Sequence, residues 1–204
     1  VLRAVLEGDA AEDAIAREAR RAALDGGALA RLTLAVEGFL GSELCARVRQ
    51  AERFSCEEPL LVPLDDTVVV GSVDLIAWRG EQALIVDYKS GKAPDEAGSR
   101  RRGEDRHAQY LLQARCYALA AIEAGACEVD VTFAFIEHAD RYVSYHFSET
   151  DRDVVRGAIQ RVADIADAPG PPAHLDAYCP WPCDYCGALG TYCPVSPPSR
   201  SADR

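Results

Sequence analysis

A chain of 204 residues, 49% hydrophobic and 27% charged, is long enough to bury a core of its own and fits one domain with a small appendage. No apolar run approaches the roughly 18 residues of a membrane span, and a formal charge of −11 excludes nucleic-acid binding by overall cationic attraction. The chain has no methionine, begins at Val1 and shows no basic-then-apolar leader, so it reads as a cytoplasmic piece cut from a larger polypeptide.

The first fifty residues read as helical, with Leu29, Leu32, Val36, Phe39 or Leu40, and Leu44 marking an apolar stripe at three-to-four spacing. Gly26-Gly27 is expected to separate two helices. Extended segments follow at 52–63, 67–78 and 83–89, rich in Val, Leu and Ile, and predict an antiparallel meander. Ser90 to Arg106 reads as a long polar loop, and the alanine-rich His107 to Ala124 as a helix ending near Gly125. Residues 129–137 and 142–148 predict a second hairpin. A last helix is expected from Thr150 to Asp167, with Thr150 as its cap and Asp151 and Asp153 in its first turn, closed by Pro169-Gly170-Pro171-Pro172. Val195 to Arg204 is Pro/Ser-rich and is expected to be a disordered tail. Helices, three strands, helix, two strands and helix pack most simply as an α/β fold, a mixed sheet flanked by helices.

The densest chemical signal lies in Gly71-Ser72-Val73-Asp74 and Val86-Asp87-Tyr88-Lys89. A two-residue loop at Gly80-Glu81, with Gly first as a type II′ turn requires, places Asp74 directly opposite Asp87. Lys89, two residues on, projects from the same face as Asp87. Like charges opposite one another destabilise a sheet, and a divalent cation would relieve them. The two carboxylates can hold Mg²⁺ or Mn²⁺ through their oxygens; the ion can acidify an attacking water and offset charge on a phosphoryl oxygen, with the ammonium placed to orient the water or assist charge neutralisation. On spacing alone the bland alternative stays open, in which the aspartates are polar strand ends and Lys89 a surface cation.

Gly71-x-x-Asp74 followed by Asp87-Tyr88-Lys89-Ser90-Gly91-Lys92 resembles two motifs of the PD-(D/E)xK nuclease superfamily, in its RecB-like branch. That branch holds the nuclease domains of RecBCD, AddAB and AdnAB helicase–nucleases and CRISPR-associated iron–sulfur exonucleases. Gln113-Ala114-Arg115-Cys116-Tyr117 matches a further motif of the branch, Gln-x-x-x-Tyr, whose spacing puts both side chains on one helical face. The resemblance, over about residues 1–193, implies a restriction-endonuclease-like αβββαβ core. It implies catalytic roles for Asp74, Asp87, Lys89, Gln113 and Tyr117, with Asp74 and Asp87 as metal ligands and Gln113 and Tyr117 on substrate phosphate or a metal-bound water. Glu57 or Glu58, before Pro59-Leu60-Leu61, resembles the family's Glu at the start of the first core strand, in a secondary role. One departure stands out: where the family places a metal-binding His on its first motif helix, Arg3 stands here, one ligand fewer and one fixed positive charge more.

Eight cysteines include the cluster Cys179-Pro-Trp-Pro-Cys183-Asp-Tyr-Cys186-Gly-Ala-Leu-Gly-Thr-Tyr-Cys193. Without secretory features, clustered thiols favour a metal over disulfides, and these four could hold Zn²⁺ tetrahedrally. By resemblance, Cys183, Cys186 and Cys193 match the three-cysteine group that binds a structural 4Fe–4S cluster in AddB-like nucleases. There the fourth ligand precedes the first helix, so Cys179 is its expected substitute here and Cys45 a weaker one. Cys56, Cys116 and Cys127 read as small buried hydrophobes.

Arg100-Arg101-Arg102 and Arg106, with His107, form a basic stretch beside the proposed ion site and are candidates for phosphate contacts, a solvated loop being the alternative. The expected organisation is a nuclease domain over 1–176, a four-cysteine metal segment over 177–194 and a tail over 195–204. The expected function is a Mg²⁺- or Mn²⁺-dependent deoxyribonuclease, an exonuclease on single-stranded DNA fed by a helicase domain or subunit during break repair. Two alternatives are a catalytically weak nuclease-like scaffold that binds DNA or a partner, favoured by Arg3, and a zinc-binding interaction module.

Overall fold

The computed structural model describes residues 1–90, 106–138 and 141–167. The chain divides into two compact units, Val1–Ile159 and Gln160–Arg204, and of the second the described residues are helical. Four helices open the first unit: α1 (Leu2–Leu6), α2 (Ala11–Arg21), α3 (Gly26–Leu40) and α4 (Glu43–Arg49). Strands β1 (Arg53–Pro63), β2 (Val68–Arg79) and β3 (Gln82–Lys89) follow, then α5 (Arg106–Glu123), β4 (Glu128–Phe135), β5 (Tyr142–Ser148) and α6 (Arg152–Asp167).

Local chemistry sets the helix ends, in two places differently from the sequence reading. Gly26-Gly27 does not separate helices but forms the first turn of α3, because the Asp25 carboxylate accepts the Ala28 N–H at 2.7 Å and starts the helix there. The chain instead breaks at Gly8, whose φ of +117° suits glycine alone, and around Ala23. Before α6 the cap is Ser148 and not Thr150. Asp151 reaches back to the Ser148 N–H at 2.8 Å in a capping box, so a short 3₁₀ turn (Glu149–Asp151) begins one residue earlier.

Among the described residues the sheet order is β1-β2-β3-β4-β5, antiparallel throughout except for the parallel β3–β4 pair. That one parallel junction follows from α5, which carries the chain across the sheet between the two strands. On one face Phe39, Leu44, Cys45 and Val48 of α3 and α4 pack with Leu75, Ala77, Leu84, Val86 and Ala134. Each such side chain removed from water contributes roughly 1.5–3 kcal/mol. Beside β4 lies α5, its Tyr110 and Tyr117 rings stacked on Phe133. Arg156 of α6 donates to the Pro63 carbonyl at 2.8 Å and to Glu123 at 2.7 Å, joining α6 to the end of β1 and to α5. The fold is thus the restriction-endonuclease-like mixed sheet with flanking helices that the resemblance implies.

Cys45, Cys56, Cys116 and Cys127 are all unbridged. Cys45 is buried, and burial raises its thiol pKa, as it does for Cys116, pushed up to about 11. Cys56, Cys116 and Cys127 are each only partly buried, not the buried hydrophobes expected; Cys56 lines a cleft, and Cys127 stands where the chain enters β4, with its Sγ 3.3 Å from Glu81 and 3.7 Å from Glu149. No helix among the described residues is long and apolar enough to cross a membrane. Cys179, Cys183, Cys186, Cys193, Arg100, Arg101, Arg102, the boundary near 176 and the tail from 195 lie outside the described residues.

Candidate active site

The β2–β3 hairpin builds the site. Gly80 has φ +57° and Glu81 is not left-handed, as a type II′ turn demands, and the ladder runs from Arg79↔Gln82 to Leu75↔Val86. The next rung would set Asp74 against Asp87, as the sequence reading expects. Pairing stops there. The Asp74 carboxylate takes over the edge, its Oδ2 accepting the Tyr88 N–H at 2.7 Å.

Asp87 is only 5% exposed, and its partners come from two elements, its own strand β3 and the helix α5. Lys89 Nζ stands 2.6 Å from Oδ1. That oxygen is buried and, apart from the ammonium, has no partner among the described residues. On Oδ2, Tyr117 donates its hydroxyl at 2.7 Å and Gln113 its Nε2 at 3.1 Å. Gln113 also donates to the Tyr117 oxygen at 2.6 Å, while its Oε1 accepts from Lys89 at 3.2 Å. The i, i+4 pair on α5 therefore closes a ring with Asp87 and Lys89. Its polar atoms are spent on the catalytic-motif residues themselves, and the Tyr117 oxygen also lies 3.3 Å from the Ser72 carbonyl.

Electrostatics separate Asp74 from an ordinary surface carboxylate. Burial raises the Asp74 carboxyl above its usual range and the charge of Asp87 adds to the rise, while the Tyr88 N–H opposes both. Burial, then the hydrogen bond to Asp87, pushes the Tyr117 phenol upward, so it remains a donor near neutrality. Two carboxylates face one ammonium, which leaves the cluster one positive charge short.

Sequence reasoning missed Tyr110 and Phe133. The Lys89 ammonium lies 5.6 Å from the Tyr110 ring centre and 5.2 Å from that of Phe133, and the two rings stack at 4.8 Å. Tyr110 lies one helical turn before Gln113, a signal that was legible; Phe133 comes beside Asp87 only through the parallel register. Glu57 and Glu58 fall in the middle of β1, not at its start. Glu58 pairs with Val73, and Glu57 faces out to Arg3 Nη1 at 2.9 Å. Arg3, Glu57, Asp74 and Tyr88 line a cleft of about 400 Å³. Arg106 is the first residue of α5. A second cavity of about 440 Å³, lined by Arg47, Trp78, Gln82, Asp130 and His146, lies at the opposite end of β3, away from this chemistry.

Paired carboxylate oxygens suit a hard divalent ion that keeps several waters. Among the described residues no three His, Cys, Asp or Glu side chains converge as a complete cage, and Asp74 and Asp87 are the carboxylates at this end of the hairpin that could contribute oxygens.

A family model for the PD-(D/E)XK nuclease superfamily matches residues 1–194. This chain belongs to that superfamily. None of the curated proteins matches it. Among solved structures, one titled "Crystal structure of SSO0001" is similar at 17% identity and a TM-score of 0.43, over 83% of this chain and 71% of that one.

Proposed function

We propose that this nuclease domain is a divalent-ion-dependent deoxyribonuclease of the RecB-like branch, acting as an exonuclease on single-stranded DNA within a helicase–nuclease that processes double-strand breaks. The observation that carries the reading is the assembly of Asp74, Asp87 and Lys89 at one hairpin end, with Asp87 held by Gln113 and Tyr117. Asp74 and Asp87 would hold Mg²⁺ or Mn²⁺, which when bound acidifies a water and offsets phosphoryl charge. Lys89 brings a second positive charge to the phosphate and can donate a hydrogen bond to its developing negative oxygen. Gln113 and Tyr117 fix the Asp87 carboxylate so that it loses no orientation when the ion and DNA enter.

The branch assignment and the single-strand preference rest on the order of the motifs and on the resemblance that they carry. In the same reading, Arg100, Arg101, Arg102 and Arg106 contact backbone phosphates, and a catalytic domain over 1–176 is followed by a metal segment over 177–194. Cys179, Cys183, Cys186 and Cys193 there hold a 4Fe–4S cluster, or Zn²⁺, and elemental analysis with a visible spectrum separates these two. Replacing Asp87 by Ala should abolish Mn²⁺-dependent cleavage of single-stranded DNA; undiminished cleavage would refute the assignment.

A second reading, a catalytically weak DNA-binding scaffold, is favoured by Arg3, which lines the same cleft as Asp74. Turnover with Mn²⁺ on protein that binds DNA in a titration decides between them.

A further inference from the structure

Asp74 is isolated in the sheet on both sides. The β1–β2 pairing runs through Cys56↔Leu75 and resumes at Glu58↔Val73, skipping the rung where Glu57 would oppose Asp74. The β2–β3 ladder ends at Leu75↔Val86, one rung before Asp87. At the skipped rung Glu57 adopts φ +55°. Ala23 shares that left-handed region, but in a turn; Glu57 does so inside an eleven-residue strand. This backbone is disfavoured for an L-residue with a side chain, so its surroundings must select it. The Glu57 side chain is itself engaged: Arg3 Nη1 lies 2.9 Å from its Oε2, and Arg3 Nε lies 3.0 Å from Glu7 Oε1.

An unbroken sheet would line up Glu57, Asp74 and Asp87 side by side across three strands, and adjacent like charges destabilise such a row. The kink carries the Glu57 carboxylate outward, to 69% side-chain exposure. With neither neighbour strand paired at its own position, the Asp74 carboxylate turns to the Tyr88 N–H beside Asp87.

We propose that Glu57 is a positioning residue acting through its backbone: its left-handed kink, clamped by Arg3, opens the sheet at Asp74 and sets that carboxylate where it can share an ion with Asp87. This rests on the ion-holding role given above to Asp74 and Asp87. Two substitutions of the full chain separate backbone from carboxylate, since both remove the charge. Glu57→Gly accepts the kink freely, whereas Glu57→Val excludes it and favours a straight strand. Calorimetric titration with Mn²⁺ alone, without DNA, should show Val weakening ion affinity by about tenfold relative to Gly. Cleavage should fall in the same order through kcat, with KM for DNA little changed. Should the Val variant fail to fold, Glu57→Asn, which tolerates the left-handed region, and Glu57→Thr, which does not, repeat the comparison.

Equal weakening in the Gly and Val variants would overturn the proposal by assigning the effect to the carboxylate, and no weakening in either would overturn it outright. An Asp87→Ala control that binds Mn²⁺ as tightly as the parent protein would instead sink the ion site itself, and the positioning role with it. Loss of binding in that control without a Gly–Val difference removes the positioning role alone.

Discussion

Two aspartates, three rungs apart on neighbouring strands, are treated in opposite ways. Asp130, near the start of β4, gives its two oxygens to His146 Nδ1 at 2.8 Å and to the Arg47 guanidinium, and His146 Nε2 reaches Glu128 at 2.9 Å. Arg47 and His146 meet both Asp130 oxygens, and His146 also reaches Glu128. Burial works against ionisation of Asp130, but its bonds to His146 and Arg47 prevail and hold its carboxyl below the usual range. The hydrogen bond to Asp130 raises the His146 pKa in turn. Asp74 and Asp87, at the other end of the sheet, share one ammonium. At Asp130 the acidic oxygens are met by Arg47 and His146, whereas at the hairpin end two carboxylates are left with one ammonium.

The contrast can be broken most sharply by replacing each aspartate in turn. Asp87→Ala should lower kcat/KM for a single-stranded oligonucleotide by roughly 10³-fold or more. Asp130→Ala, which touches no part of the site, should leave it within about twofold. Lys89→Met, which keeps the packing against Tyr110 and Phe133 but removes the ammonium, should cost on the order of 10²-fold in kcat. Near-normal turnover in that variant would assign Lys89 to the structure alone.

Tyr117→Phe removes one of two hydrogen bonds to Asp87 Oδ2 and leaves the ring stacked near Phe133. A loss of about 1–3 kcal/mol in denaturant unfolding of the ion-free protein is expected. A smaller loss would mean that Gln113 or water takes over the bond.

The pH dependence sharpens the comparison with the smallest effect. A raised carboxyl binds its proton more tightly folded than unfolded, so stability from Asp74 is present below the ordinary value of 3.8 and is lost as pH rises through its raised value. Asp130 has the opposite sign: its contribution is present above 3.8 and is lost as pH falls through its depressed value. Mn²⁺ should therefore raise the melting temperature more near neutrality than in the acid carboxyl range, by roughly 3 °C. Asp74→Asn should shrink that difference, leaving only what Asp87 contributes, and Asp130→Asn should leave it in place.

The register of the hairpin was legible because it is local: Gly80 fixes the turn, and alternation along two apolar strands carries Asp74, Asp87 and Lys89 to one end. The Gln113–Tyr117 pair was legible for the same reason, through helical periodicity. Family membership followed from the order of those short motifs along the chain. Helix boundaries at Gly26 and Thr150 misled because Asp25 and Ser148 are stronger caps, and a side-chain hydrogen bond outweighs a glycine signal or a threonine next to it.

What those residues do to one another came only with the tertiary structure. The parallel β3–β4 junction brings Phe133 beside Asp87, and the placement of α5 spends Gln113 and Tyr117 on the carboxylate. Glu57 leaves the extended region inside a strand whose composition predicts it straight, and its carboxylate meets Arg3 from the start of the chain. Turns and helical faces depend on neighbours a few residues away, which a sequence displays. The compensation of buried charge depends on groups brought together from distant segments, and that is settled only when the chain has folded.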